Sequence, residues 1–218
     1  MNDNYESRIR KVLQAHNVSD SWPGDVMREI SSLASEIGSQ DRSGRRDLTD
    51  LPFVTIDGDT AQDFDDAVYA VAENGGWQLY VAIADVSRYV PDGSATDREA
   101  FARGNSVYFQ DFMLPMLHAR LSTDLCSLKP AADRLALVCQ MFIASDGSLE
   151  KYGFYPAVIR SQARLTYNDV QDMITGKDSV IRQYHGVYPH IYRLYEMYPC
   201  PRCKICNELQ ISFVIKPI

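Results

Sequence analysis

Ten consecutive residues, from 57 to 66, hold five aspartates, in a stretch that reads VTIDGDTAQDFDDA over 54–67. Apolar segments lead into it and out of it, so a folding chain has to gather Asp57, Asp59, Asp63, Asp65 and Asp66 at one place. Two unit charges about 4 Å apart repel by roughly 4 kcal/mol at an effective dielectric near 20. Such a cluster can stay solvated on an open loop, take up protons, or surround divalent cations that reverse the local sign. Any fold for this chain must include one of these three solutions.

Known carboxylate patterns narrow the choice. An EF-hand loop starting at Asp57 would need an oxygen ligand at Ala61, glycine at Gln62 and glutamate at Val68, and it has none of them. A phosphatase motif of the Asp-x-Asp-x-Thr/Val type fails at Ala61, and again at Ala67 if counted from Asp63. A solvated acidic loop remains open, but such a loop has no need of Phe64 in its middle. In an extended chain Asp63 and Asp65 face one side and Asp66 the other. Convergence therefore requires a bend between Asp65 and Asp66, with Asp57 entering from a strand end. Oxygen-rich groups converging in this way suit Mg²⁺. Two such ions about 3.5–4 Å apart steady the attacking and leaving oxygens of phosphodiester hydrolysis.

The remaining sequence describes an ordinary globular protein. Its 218 residues are 45% hydrophobic and 23% charged, enough for one large domain or a domain with an appendage. A net charge of −7 and a pI near 5.1 do not advertise a nucleic-acid binder, although a local basic groove is compatible with an acidic whole. The start, MNDNYESRIRK, is polar and reads as no secretory signal, and the longest apolar run, LYVAIADV, is short and carries Asp85. A cytoplasmic protein away from membranes is the expectation. Cys126 and Cys139 read as buried thiols, and Cys200, Cys203 and Cys206 crowd the chain end without forming a disulfide framework.

Hydrophobic spacing predicts a helix through YESRIRKVLQAHN, with Ile9, Val12 and Leu13 on one face, and a second through VMREISSLASEIG. A polar connector follows, then a strand in LPFVTI. AVYAVAE, NGG and WQLYVAIADVSRYV predict a hairpin, and SATDREAFARGN a helix with an N-cap. SVYF reads as extended. LALVCQMFIA and SLEKYGFYPAVIRSQARLTY predict a longer hairpin, TYNDVQDMITG a short helix, and SVIRQYHGVYPHIYRLYEMY one further helix. Strand pairs mixed with helices, without regular βαβ alternation, make the fold class α+β, a mixed sheet with helices.

LPFVTIDGDTAQDFDDAVYA closely resembles the catalytic RNB domain of the ribonuclease II and ribonuclease R family. The resemblance continues through GGWQLYVAIADVSRYV, DREAFARGNSVYF, LCSLKPAADRLALVCQM and YPAVIRSQARLTY. It implies a helical segment over 1–44, the N-terminal half of an RNB-like catalytic domain over 45–198, and an atypical cysteine-containing tail over 199–218. It also implies a 3′-to-5′ hydrolytic exoribonuclease that degrades single-stranded RNA to nucleoside 5′-monophosphates with Mg²⁺, for which Mn²⁺ can substitute. Carried over residue by residue, the family's metal ligands fall on Asp57, Asp63, Asp65 and Asp66, with Asp63 and Asp65 also serving the attacking water. Asp59 falls at a variable position and is left out. The base-stacking aromatic falls on Tyr108 and a contact on the ribose side on Tyr167, while Asp85 reads as a supporting carboxylate.

The sequence also departs from the family. Thr123 and Asp124 stand where Asn-Gly is usual, and Gln162 where the ribonuclease R branch has histidine. After RLYEMY the similarity stops, so the domain is expected to be incomplete at its C-terminus, without the arginine that steadies the scissile phosphate, a second aromatic clamp, or the cold-shock and S1 domains. Low or no activity of this chain is the expectation. CPRCKIC is read as a product of a shifted or ended frame rather than a metal site. The tyrosines at 184, 188, 192, 195 and 198 recur at helical spacing, which fits packing on the domain better than base stacking. Between Lys151 and Lys204 eight Lys/Arg face four Asp/Glu, either a phosphate-facing surface or a solvated face. The rival functions are a non-enzymatic RNB-domain fragment and an unrelated Mg²⁺-dependent phosphatase.

Overall fold

The computed structural model describes residues 3–16, 18–109 and 113–197. Tyr198, Cys200, Cys203, Cys206 and the 199–218 tail lie outside the described residues. The chain forms two compact units, one from residues 1–35 and 86–122, the other from 36–85 and 123–218. The helical segment expected over 1–44 is thus shared between them.

The larger unit is built on a seven-stranded mixed sheet. Its strands are β1 (Arg46–Leu48), β2 (Val54–Asp57), β3 (Asp66–Glu73), β4 (Gly76–Ala84), β7 (Asp133–Ile143), β8 (Leu149–Arg160) and β9 (Ala163–Thr166). They lie in the order β1-β8-β7-β4-β3-β2-β9, with β1–β8 and β2–β9 parallel and the other pairs antiparallel. The predicted first hairpin is present. Asn74 and Gly75 both take positive φ, 50° and 82°, the geometry of a two-residue turn that matches strand twist. Gly76 then pairs with Glu73, and a Cβ at Gly76 would meet the Ile143 carbonyl oxygen at 2.2 Å, so the strands' close approach requires glycine there.

The second predicted hairpin is present too, but its long return strand is broken. β8 ends at Arg160, and β9 pairs with β2 at the other end of the sheet. After β9 come α5 (Tyr167–Ile174), α6 (Asp178–Gln183) and α7 (Tyr188–Met197). The single helix expected over the last two is interrupted around Gly186, with Tyr184 closing α6. These helices bury Val170, Met173, Ile191, Leu194 and Met197 against Val54, Ile56, Val68, Leu79 and Met141 of the sheet. Tyr184, Tyr188 and Tyr195 pack on this core, whereas Tyr192 is exposed. β1 and the four-residue α3 (Ser39–Arg42) lie in the stretch read as a connector.

In the smaller unit, α1 (Asp3–Ala15) turns Ile9 and Leu13 inward onto Leu114. Val12, expected on the same face, is half exposed. The second helix is shorter than its apolar spacing predicts. α2 (Gly24–Ser32) stops at Leu33, whose backbone is extended, and in its last turn Ser31 and Ser32 turn their hydroxyls back onto the carbonyls of Met27 and Glu29, both at 2.6 Å. α4 (Ala95–Arg103) has the predicted N-cap, Ser94, which accepts from the Asp97 amide at 3.0 Å. Glu29 reinforces that end, accepting from the amides of Ala95 and Thr96 at 2.7 and 2.8 Å. β5 (Val107–Tyr108) and β6 (Met113–Leu114) form a two-stranded ribbon. No helix among the described residues is long and apolar enough to cross a membrane.

Candidate active site

β2 and β3 are antiparallel neighbours, so the loop 58–65 joins the end of one to the start of the next at one rim of the sheet. That places Asp57, the last residue of β2, and Asp66, the first of β3, on the same rim, with Asp63 and Asp65 between them. The loop passes into β3 between Asp65 and Asp66, the point at which a bend is expected. Phe64 is buried at 8% exposure and anchors the loop from within. The loop is therefore not the wholly solvated one that an acidic stretch can form.

Groups distant in sequence hold the loop. The buried Ser127 hydroxyl accepts from the Phe64 amide at 3.1 Å and donates to the Gln62 carbonyl at 3.0 Å. The Leu128 amide donates to the Phe64 carbonyl at 2.8 Å, and the Ala84 amide to that of Asp65 at 2.9 Å. At the other end of the loop, Arg164 of β9 donates to the carbonyls of Gly58 and Asp59 at 2.6 and 2.8 Å, and its guanidinium lies 5.7 Å from the Phe64 ring centre. Sequence reasoning singled out neither Ser127 nor Arg164. Both lie inside stretches quoted for the resemblance, LCSL and ARLTY, but nothing local marks them, because their partners are 63 and 106 residues away.

The carboxylates act on one another. Burial, then the charges of Asp66 and Asp63, push the Asp57 carboxyl up from its ordinary range, and Arg164 draws it partly back. Asp65 is raised by lost hydration and then by Asp63 and Asp57, even though the residue stays accessible to solvent. Asp66 is raised by burial and then by Asp65. The Oδ2 atom of Asp57 is buried and has no hydrogen-bond partner. Burying a carboxylate oxygen without a partner is costly. Among the described residues no three His, Cys, Asp or Glu side chains are gathered closely enough to form a ready-made metal cage. Like-charged carboxylates with no bound cation between them are expected to stand apart in this way. The donor set consists entirely of hard oxygen atoms, and together with the orphaned Asp57 oxygen it fits a divalent cation.

Tyr167 opens α5 directly after the Thr166 cap, and the charges of Asp57 and Asp66, after burial, raise its hydroxyl pKa. It is thus brought to the aspartates. Tyr108 is in the other unit, on β5, and is 69% exposed, so it is not the half-buried packing residue that an isolated strand tyrosine usually is. The Asp59 carboxylate faces Asn168, at 3.4 Å. Asp85 pairs with Arg45 at 2.5 Å, both largely buried. Thr123 and Asp124 fall in a five-residue π-helical turn, Leu121–Leu125, where Asp124 pairs with Lys129 at 3.4 Å. Cys126 is buried and its thiol is pushed up to about 12, first by burial. Cys139, read as buried, is only half-buried. Three of the basic residues after Lys151 are ion-paired, Arg160 with Asp133, Lys177 with Asp172 and Arg193 with Glu196, and Arg202 and Lys204 lie outside the described residues.

The RNB domain profile matches residues 45–201. The chain is 46% identical over 188 residues to ribonuclease R of Vibrio cholerae, covering 86% of this chain and 23% of that protein, with the same figures for ribonuclease R of Escherichia coli. The chain thus spans about a quarter of the length of these relatives. Among solved structures it is similar to Mycoplasma genitalium RNase R in complex with ribose methylated single-stranded RNA. That match has a TM-score of 0.82 and 29% identity, and covers 94% of this chain and 32% of the other. The fold, the acidic loop and these relationships together show that the chain belongs to the RNB domain family.

Proposed function

We propose that this chain carries the metal-binding part of a ribonuclease R-like site, one that removes nucleotides hydrolytically from the 3′ end of single-stranded RNA. The observation that carries this reading is the buried, unpartnered Asp57 oxygen on a rim shared with Asp63, Asp65 and Asp66, in a chain 46% identical to ribonuclease R over 188 residues. A bound Mg²⁺ would neutralise phosphate charge and make the attacking water more acidic. Asp57 and Asp66 would hold one ion, and Asp63 and Asp65 would serve a second ion and the attacking water. Attack of water on phosphorus, with departure of the neighbouring 3′-oxygen, releases a nucleoside 5′-monophosphate. Tyr167 would meet the ribose, and Tyr108 would stack the terminal base, a contact that tolerates any base.

The chain spans 23% of its ribonuclease R relatives, so charge-stabilising groups and RNA-binding surface from the rest of their length are not in these 218 residues. A missing preorganised donor can cost about 10²–10³ in rate. Little or no turnover by this chain alone is expected. The test is release of nucleoside monophosphates from poly(A) with Mg²⁺, by this chain, by its Asp65→Asn variant and by a version extended with the remainder of a ribonuclease R RNB domain. Activity of the extended version that Asp65→Asn abolishes supports the reading. An extended, folded version that stays inactive would return the chain to the non-enzymatic alternative.

A further inference from the structure

We infer that Ser127 is a positioning residue for the proposed metal site, setting the direction in which Asp63 presents its carboxylate. The inference rests on the reading of the aspartates as metal ligands. One fully buried hydroxyl bonds the peptide groups on both sides of Asp63, accepting from Phe64 N–H and donating to Gln62 C=O. A hydroxyl can do both at once because it carries one donor and two lone pairs. The adjacent Leu128 amide adds a third bond, to the Phe64 carbonyl. Ser127 is itself fixed: its carbonyl accepts from Arg134 Nε at 3.0 Å and from the Lys129 amide at 2.8 Å.

The need for such a clamp follows from charge. Asp63 acts on both Asp57 and Asp65, and without a cation their repulsion pushes the loop outward. Phe64 holds the loop by burial, which resists withdrawal but not rotation of the peptides about Asp63. The Ser127 hydroxyl resists that rotation. Partners that orient metal ligands are worth about 10–100-fold in metal affinity.

The test is a Mn²⁺ titration of the 218-residue chain, followed by electron paramagnetic resonance of free Mn²⁺. Ser127→Ala is expected to bind about tenfold more weakly, while Ser127→Thr, which keeps the hydroxyl, restores most of the affinity. Ser161→Ala removes another buried serine, one that bonds the Ala163 carbonyl at 3.1 Å, and should leave Mn²⁺ affinity unchanged. Exchange of the Phe64 amide in EDTA, without metal, should be faster in Ser127→Ala. If that variant does not fold, Ser127→Cys, a weak donor and acceptor, is used and should show a smaller loss in the same direction. Wild-type Mn²⁺ affinity in Ser127→Ala, or an equal loss in Ser161→Ala, overturns this inference alone. No Mn²⁺ binding by the wild type overturns the site reading and this inference with it.

Discussion

Asp57 lies directly across from Thr166 in the parallel β2–β9 pair. Thr166 caps α5, accepting from the Asp169 amide at 3.0 Å while Asp169 accepts from the Thr166 amide at 2.9 Å. One register therefore fixes both the carboxylate at the end of β2 and the start of the helix that brings Tyr167 to it. Asp57, whose Oδ2 has no hydrogen-bond partner, is thus placed by backbone pairing.

This arrangement predicts opposite effects of Asp57→Asn with and without metal. In EDTA the substitution removes a buried, repelled charge and should raise the unfolding midpoint. With Mn²⁺ the wild type should gain stability by mass action, about 2.7 kcal/mol when the ion is at 100 times its dissociation constant, and the variant should gain much less. Thermal unfolding of both proteins in EDTA and in Mn²⁺ checks this. A wild-type midpoint that ignores Mn²⁺ would count against a cation site at the aspartates.

A related prediction concerns pH. Asp57, Asp65 and Asp66 bind protons more tightly folded than unfolded, because their folded pKa values are raised. Their contribution to stability is fully present below the unfolded value, 3.8, and is lost as pH rises through the folded values. Glu29 and Asp133 have the opposite sign, being lowered first by the Ala95 backbone and by Arg160, and lose their contribution at lower pH. In EDTA, acidification from neutral toward the ordinary carboxylate range should raise the midpoint, and acid below that range should lower it. Saturating Mn²⁺ should reverse the first change, and Asp57→Asn/Asp66→Asn should flatten it. Midpoints across this range with each additive decide the matter.

Much of the unit that carries the aspartates was legible because its signals are local. Asn74 and Gly75 mark the first hairpin, Thr166 and Asp169 the capping box of α5, and the aspartates their own rim. β9 was not legible as a separate strand, since no glycine or proline stands between Arg160 and Ala163. Its partner, β2, is more than 100 residues earlier, so the break is a tertiary outcome. Ser127 and Arg164 escaped notice for the same reason: each reads as an ordinary residue until the fold brings it to the loop. α2 shows the reverse case, in which apolar spacing continued to Ile37 but the backbone becomes extended at Leu33, just after two serines that weaken the last turn.

Tyr108 provides a test of substrate contact separate from the metal. Its exposure means that Tyr108→Ala should change stability by no more than about 0.5 kcal/mol and leave Mn²⁺ binding intact. In the extended, active version the same change should alter the length of the last undegraded product of a 5′-labelled single-stranded RNA. An unchanged end product would remove Tyr108 from the substrate-binding residues.

The sheet face that α5 and α7 cover continues uncovered over parts of β4, β7 and β8. Ile83 pairs with Leu137, Leu137 with Pro156, and Cys139 with Phe154, so these side chains form rows on one face. Ile83 is 48% exposed, Leu137 47% and Phe154 64%, with Tyr152 stacked edge-on against Phe154 at 5.8 Å. The same face carries Leu79 and Met141 where the helices bury it, so the exposed rows extend the core pattern beyond its cover. Contiguous apolar surface of this kind is a site of association. β1 pairs with β8 only at Ala157–Ile159, which among the described strands leaves the rest of that long strand without an outer neighbour and adds an open edge. The isolated 218-residue chain should therefore self-associate at micromolar concentration. Leu137→Lys/Phe154→Lys should shift it toward monomer with little change in unfolding midpoint, since neither side chain is buried. Light scattering coupled to size-exclusion chromatography measures both species. A wild type that stays monomeric at every concentration would show that the face is adequately solvated, and unfolding of the double variant would show that these side chains belong to the core.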